Sequence, residues 1–206
     1  MSSQNGKPIS KDQEGVLIGR AQAGDRAAIR ELVDLHKDRL FAFIWRMTHN
    51  HHDTEEICQE AFLKAFGAID TFSIEYRFST WLFTIGYRIC LNRMRRRQVF
   101  AEFSGWEGVE QSSNAEGDGA FESEEARKLR GTVWGAVEKL SPPQRATVLL
   151  FYRHEMGCQE IARVLELPVA TVKSHLHRAR QRLREILETV GDQELDEFRN
   201  QSRRAG

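Results

Sequence analysis

Apolar residues in this chain recur at helical spacing and nowhere alternate with period two, so the pattern predicts helices and no strands. Asp25 stands where it can cap a long helix with Ile29, Val33, His36, Leu40, Ile44 and Met47 on one face. After the polar break HNHH, Asp53 and Glu56 have capping-box spacing, and the helix they open buries Ile57, Ala61, Ala65 and Phe66. A loop from Ala68 to Phe78 leads into a helix from Ser79 to about Arg97. From Gln98 to about Glu122 the apolar period stops among Gly, Ser and acidic residues, which predicts a mobile connector. A weakly apolar helix is expected next, with Leu129, Val133, Val137 and Leu140 on one face. It ends at Ser141-Pro142-Pro143-Gln144, which is itself a start signal: Ser suits the cap, Pro the first turn and Gln the capping-box position.

The last strongly patterned stretch, CQEIARVLELPVATVKSHLHRARQRLR from Cys158 to Arg184, reads as a helix, a tight turn and a second helix. Val172, Leu176, Ala179 and Leu183 recur at i, i+4, i+7 and i+11, a face that must be buried. Lys173, Ser174, His177 and Arg178 fall on the other side, and the second helix carries five Lys or Arg and no acid. Such a helix fits the major groove, where Lys and Arg meet phosphates or guanine acceptors and Ser or His reaches a base edge. A solvated basic helix packed on its own domain has the same residue pattern.

Composition sets the outer bounds. The chain has 206 residues, 40% of them hydrophobic, enough for one large core or two small ones. Nothing approaches the run of about 18 apolar residues that spans a bilayer, and MSSQNGKPISKDQ has no apolar signal core, so a soluble intracellular protein is expected. Cys58, Cys90 and Cys158 are far apart, which predicts packing residues rather than a zinc ribbon or disulfide framework. The net charge of zero hides segregation. Residues 1–98 hold 15 basic and 12 acidic side chains, a net of +3; residues 99–128 hold 2 and 8, a net of −6; residues 129–190 hold 10 and 6, a net of +4. Two basic blocks thus flank an acidic connector.

Between Asp70 and Arg97 the chain interleaves Phe72, Tyr76, Phe78, Trp81, Phe83 and Tyr87 with Arg77, Arg88, Arg93 and Arg95 to Arg97. Aromatic faces stack on unpaired bases at roughly 1–3 kcal/mol per base while Arg neutralises phosphates, the combination that holds a single strand open. The alternative is an ordinary core of Trp81, Leu82, Ile85 and Ile89 with the arginines as a solvated helix end. Asp53, Glu55, Glu56, Gln59 and Glu60 beside Phe62 offer a polar face that suits either solvent or a docking partner. His49, His51, His52, Asp53 and Cys58 invite a metal reading, but no second ligand pair at zinc spacing accompanies them, and a polar turn before a capped helix explains them. No nucleophile elbow, phosphate loop or carboxylate pair is present, so neither an enzyme nor a cofactor is expected.

Taken together, these residues resemble the extracytoplasmic-function (ECF) branch of the bacterial sigma-70 family. Asp53 to Phe66 looks like region 2.2, Phe72 to Arg97 like regions 2.3 and 2.4, and Leu140 to Glu185 like region 4, with F-x-T-W-L at Phe78 to Leu82 and T-V-K-S at Thr171 to Ser174 the most specific pieces. The resemblance implies an all-α protein of two small helical domains. Their expected bounds are a disordered extension over 1–13, region 2 over 14–98, a flexible acidic linker over 99–121, region 4 over 122–190 and a tail over 191–206, disordered by default.

It also implies a transcription initiation factor that binds core RNA polymerase, through a surface containing Asp53, Glu56, Gln59, Glu60 and Phe62, and directs promoter recognition and opening. The minus-ten element would meet Phe72, Glu75, Tyr76, Arg77, Phe78, Trp81, Arg88, Asn92, Arg95 and Arg96, with a flipped base received by the loop Asp70 to Phe78. The minus-thirty-five element would meet Ala170, Thr171, Lys173, Ser174, His177 and Arg178 as duplex. The acidic linker would run through the polymerase's basic cleft, although a solubilising spacer has the same composition. Ser73-Ile74 replaces a frequent Arg-Gly, Arg88 a frequent Asn, Glu166 a frequent Gly and His175 a frequent Arg, which points to altered promoter preference. A separate anti-sigma factor, membrane-anchored in the family's usual arrangement, is the expected regulator of a cytoplasmic monomer or 1:1 complex that takes no small-molecule substrate. The rival reading is a stand-alone helix-turn-helix regulator, which would normally dimerise on half-sites about one DNA turn apart.

Overall fold

The computed structural model describes residues 10–104 and 123–204, and every regular element among them is helical. Contacts divide it into two compact units, one holding the first four helices and the segment Gln159–Leu167, the other the remaining helices.

The first unit opens with α1 (Lys11–Gln22), which begins inside the stretch expected to be a disordered extension. Its start is fixed by a reciprocal box: Gln13 N donates to Ser10 Oγ (3.2 Å) and Ser10 N to Gln13 Oε1 (3.0 Å). Residues 1–9 lie outside the described residues. Gly24, at φ 84°, and Asp25 then turn the chain into α2 (Arg26–Thr48), in whose first turn Ala27 N and Ala28 N donate to Asp25 Oδ1. The buried face of α2 is Ala28, Leu32, His36, Leu40, Phe43, Ile44 and Met47; Ile29 and Val33, expected on it, sit at its half-buried margin.

His49 ends α2 in the left-handed conformation, and α3 (His51–Gly67) is capped by Asn50, whose Oδ1 accepts from Asp53 N at 2.9 Å. Asp53 was expected to be that cap; it sits a turn inside the helix instead. A 3-10 turn (Ile69–Thr71) and an exposed loop lead to α4 (Phe78–Ser104), which continues over the first residues of the expected linker. Residues 105–122, the body of that linker, lie outside the described residues. α2 packs against α1, α3 and α4, and Gly86 marks the tightest convergence: a Cβ there would lie 3.0 Å from Leu40 Cδ1 and 3.9 Å from Ala61 Cβ.

The second unit begins with α5 (Glu124–Glu138), capped by Ser123. Val137 and Leu140 are buried as expected, but Leu129 and Val133 are exposed and Trp134 packs on the core in their place. Ser141 precedes α6 (Pro142–Val148) at the cap position without a side-chain bond, Pro142 filling the first turn. Arg145 instead ties the corner, its guanidinium donating to the Glu138 and Leu140 carbonyls left open at the end of α5. One turn of π-helix (Leu149–Arg153) follows α6. Val137, Leu140, Val148 and Ala179 form one buried cluster of the core, flanked by Trp134 and Leu183.

Two helices follow locally along the chain, α7 (Cys158–Leu165) and α8 (Val169–Arg204). Glu166, at φ 55°, makes the turn between them, and Pro168 O accepts from the N–H groups of Thr171 and Val172. Where a tail from residue 191 is expected to be disordered by default, the backbone of α8 is helical through Arg204. Gly191 is its one glycine, a cost of about 1 kcal/mol that the surrounding helix formers absorb.

Candidate nucleic-acid interface

In the first unit an aromatic floor supports an exposed loop. Phe72 and Phe78, the two ends of the loop, are 7% and 0% exposed and meet each other at 5.7 Å between ring centroids. Trp81 completes the floor, 5.1 Å from Phe72 and 5.7 Å from Phe78, and remains half-buried. His36 of α2 packs on Phe78 at 5.2 Å, with its Nε2 3.0 Å from Glu14 of α1, close but without hydrogen-bond alignment. Between the anchored phenylalanines, Ser73, Ile74, Glu75, Tyr76 and Arg77 are all exposed. The structure therefore splits the expected minus-ten set: Phe72 and Phe78 are interior supports, while Glu75, Tyr76 and Arg77 present functional groups at the surface.

The α4 arginines sort by face. Arg93 and Arg97 turn towards α3, where Arg97 Nη1 lies 2.5 Å and Arg93 Nη1 3.6 Å from the buried carboxylate of Asp53, and Arg93 also donates to Glu56. The guanidinium of Arg93, and then His52, hold the Glu56 carboxyl below its usual range. Arg88, Asn92, Arg95 and Arg96 share a different, exposed face at i, i+4, i+7 and i+8. That face is basic and holds no acid of its own helix, and Arg88 within it donates to the carboxylate of Glu166.

The same ion pairs bear on the expected polymerase surface. Asp53 is 6% exposed and joins α3 to α4, whereas Gln59 is exposed, Glu60 pairs with Lys64 at 2.7 Å, and Phe62, half-buried, stacks on Phe66 at 6.1 Å. Leu63, one residue further on, is 76% exposed, an apolar group on this surface that the sequence reading passed over. The histidines nearby are likewise engaged: His51 packs edge-on to Phe41 and Trp45, and His52 approaches Glu56 at 3.2 Å. Among the described residues no three His, Cys, Asp or Glu side chains gather as a ligand set.

On α8 the predicted division of faces is present. Val172, Leu176 and Ala179 are buried and Leu183 is half-buried. Ala170, Lys173, Ser174, His177 and Arg178 are exposed, with Thr171 half-buried at the first turn. Arg178 Nε points back to Ser174 O at 3.4 Å, so its guanidinium lies along the helix beside the serine. Burial, and then Arg178, lower the His175 pKa and favour its neutral form.

One contact at this loop escaped sequence reasoning altogether. Gln22, the last residue of α1, donates from its side-chain amide to the carbonyls of Ile69 (3.0 Å) and Phe72 (3.3 Å) at the base of the exposed loop. The available signal was Ser10-Lys11-Asp12-Gln13, a capping box hidden in a polar run.

Comparison with known proteins gives this arrangement its context. A family model for sigma-70 region 2 matches residues 32–99, and one for sigma-70 region 4 matches residues 130–183. The ECF RNA polymerase sigma factor SigW of Bacillus subtilis is 35% identical over 176 residues, covering 82% of this chain and 94% of that protein. Among solved structures, the sigma factor RpoE in complex with the anti-sigma factor NepR from Bartonella quintana is similar with a TM-score of 0.66 and 26% identity, over 77% of this chain and 96% of that one. CnrH in complex with the cytosolic domain of CnrY is similar with a TM-score of 0.61 and 25% identity, over 84% and 96%.

Proposed function

This chain belongs to the ECF sigma factors of the sigma-70 family, and from that premise we propose that it binds core RNA polymerase and directs it to promoters carrying two spaced elements. The observation that carries the reading is the pair of exposed basic faces, Arg88–Asn92–Arg95–Arg96 on α4 and Lys173–Ser174–His177–Arg178 on α8, each backed by a buried apolar face. The α8 face reads the minus-thirty-five element as duplex, with Ala170 and Thr171 at the groove entrance. The loop with Glu75, Tyr76 and Arg77 receives the opened minus-ten strand, Trp81 at its edge, while Phe72 and Phe78 hold its two ends in place. The α4 face follows the adjacent phosphates.

Gln59, Glu60 and Phe62, with Glu56 at the margin, form the docking surface for the polymerase; Asp53 shapes it from beneath. The factor supplies no chemistry of its own and needs no cofactor. Two weak DNA contacts, held at fixed separation by the polymerase, add as an effective-concentration gain. The co-structures of RpoE with NepR and of CnrH with CnrY support control by an anti-sigma factor, in a 1:1 complex in the cytoplasm that reaches the inner membrane if that partner is anchored there.

Alanine substitution tests the groove assignment. Lys173→Ala and Arg178→Ala are each expected to weaken promoter-selective transcription by roughly 5- to 100-fold, the equivalent of about 1–3 kcal/mol per lost base or phosphate contact, without lowering affinity for core polymerase. Undiminished transcription from both variants would show that this face does not read the promoter.

A further inference from the structure

The loop between Phe72 and Phe78 presents five consecutive exposed residues, and little within it fixes its shape. Its internal bonds are the turn from Tyr76 N to Ser73 O (3.2 Å) and a long contact from Glu75 N to Ser73 Oγ (3.5 Å). Outside the loop, the Arg163 guanidinium lies over the Tyr76 ring at 4.5 Å and Arg77 Nε stands 3.6 Å from Glu160, while the base of the loop is held from α1, outside the segment that carries the sequence motifs. The two N–H groups of the Gln22 amide match two acceptors, Ile69 O and Phe72 O, which bracket the 3-10 turn from which the loop departs. One face of α1 is used throughout: Gly15, Ile18 and Gln22 stand at i, i+3 and i+7. Ile18 is 3% exposed, and at Gly15 a Cβ would lie 2.9 Å from Ile74 Cδ1, so the loop's isoleucine rests where a side chain on α1 would stand. Ile74 is itself 59% exposed.

We propose that Gln22 and Gly15 of α1 are positioning residues for the minus-ten loop, fixing its shape and thereby which base of the opened strand it accepts. Neither residue touches DNA; Gln22 acts through the carbonyls of Ile69 and Phe72, and Gly15 through the Ile74 side chain that rests against it. A loop held at both phenylalanines but released from α1 retains its aromatic floor and loses the placement of Glu75 and Tyr76. Placement matters because discrimination between bases depends on donors and acceptors set within a fraction of an ångström, whereas phosphate contacts tolerate movement. The proposal rests on the reading of this loop as the receiver of the opened strand.

The test uses the full chain with core RNA polymerase on a promoter that the wild-type protein activates, with all four bases placed in turn at each minus-ten position. Gln22→Glu keeps the shape of the side chain and replaces the donor with a carboxylate facing two carbonyls. Gly15→Leu displaces Ile74 while improving the helix propensity of α1, so a purely structural role predicts equal or higher stability. Both variants are expected to lower base discrimination at one or two minus-ten positions by about tenfold, with polymerase affinity and minus-thirty-five duplex binding unchanged.

Discrimination equal to wild type in both variants overturns the proposal. So does a loss that merely follows the thermal midpoint, with no position-specific component. A wild-type protein that opens promoters without preferring any minus-ten base overturns the strand-capture reading itself and the proposal with it. That result is distinguishable from the specific failure, in which wild type discriminates and the variants match it.

Discussion

Individual side chains in this protein divide sharply between interior and surface chemistry, and the cysteines show the division most simply. Burial pushes the thiols of Cys58 and Cys90 up to about 12, so at pH 8 only about one in ten thousand of each is thiolate. Cys158 is half-exposed. Iodoacetamide at pH 8 is therefore expected to label Cys158 in the native protein and to reach the other two only after unfolding, as read by intact and peptide mass spectrometry. Labelling of Cys58 as fast as Cys158 would contradict the packing described. Cys58 and Cys90 are the packing residues the sequence predicts; Cys158, expected to pack likewise, is half-exposed. The aromatics were less legible: spacing alone could not tell Phe72 and Phe78, which close the floor, from Tyr76, which is 43% exposed. The difference is made by His36, distant in sequence, which packs on Phe78, and by Trp81, one turn into α4, which meets both phenylalanines.

Helices were legible where an apolar face ran for several turns, and their ends were legible where a cap was isolated, as at Asp25. Where polar residues crowd together, the competing caps could not be ranked. Asn50 displaced Asp53 at the start of α3, and the Ser10–Gln13 box that opens α1 was lost in a polar run. Asp53 is thereby released for another task, a buried carboxylate between Arg93 and Arg97 that fastens α3 to α4. Both arginines retain some exposure, which limits the strength of the pairs. Asp53→Ala is expected to destabilise the protein by about 1–3 kcal/mol, leaving two guanidinium groups without their shared partner. Glu60→Ala, whose pair with Lys64 is exposed, is expected to stay within about 0.5 kcal/mol. Urea titration followed by circular dichroism measures both. Equal stability of the two variants would mean that Asp53 does not join the helices.

The zero net charge conceals two basic blocks separated by acid, and the proposed two-element promoter contact follows that division. Each block folds as helices with an apolar inner face and a cationic outer face, so each can engage DNA weakly without the other. The division into an N-terminal and a C-terminal helical block was legible from charge and turn signals. The continuation of α4 to Ser104 and of α8 to Arg204 was not, because composition marks where an apolar face ends rather than where a helix ends. A stand-alone regulator would use the α8 face by itself and leave the α4 arginines and the minus-ten loop without a role. The two accounts separate most directly in transcription from a genomic fragment library by core RNA polymerase with and without this protein, sequencing the RNA starts. RNA starts that appear only with the protein and share two spaced upstream elements are the predicted result. No new starts, with DNA bound specifically by the protein in the absence of polymerase, would contradict the account.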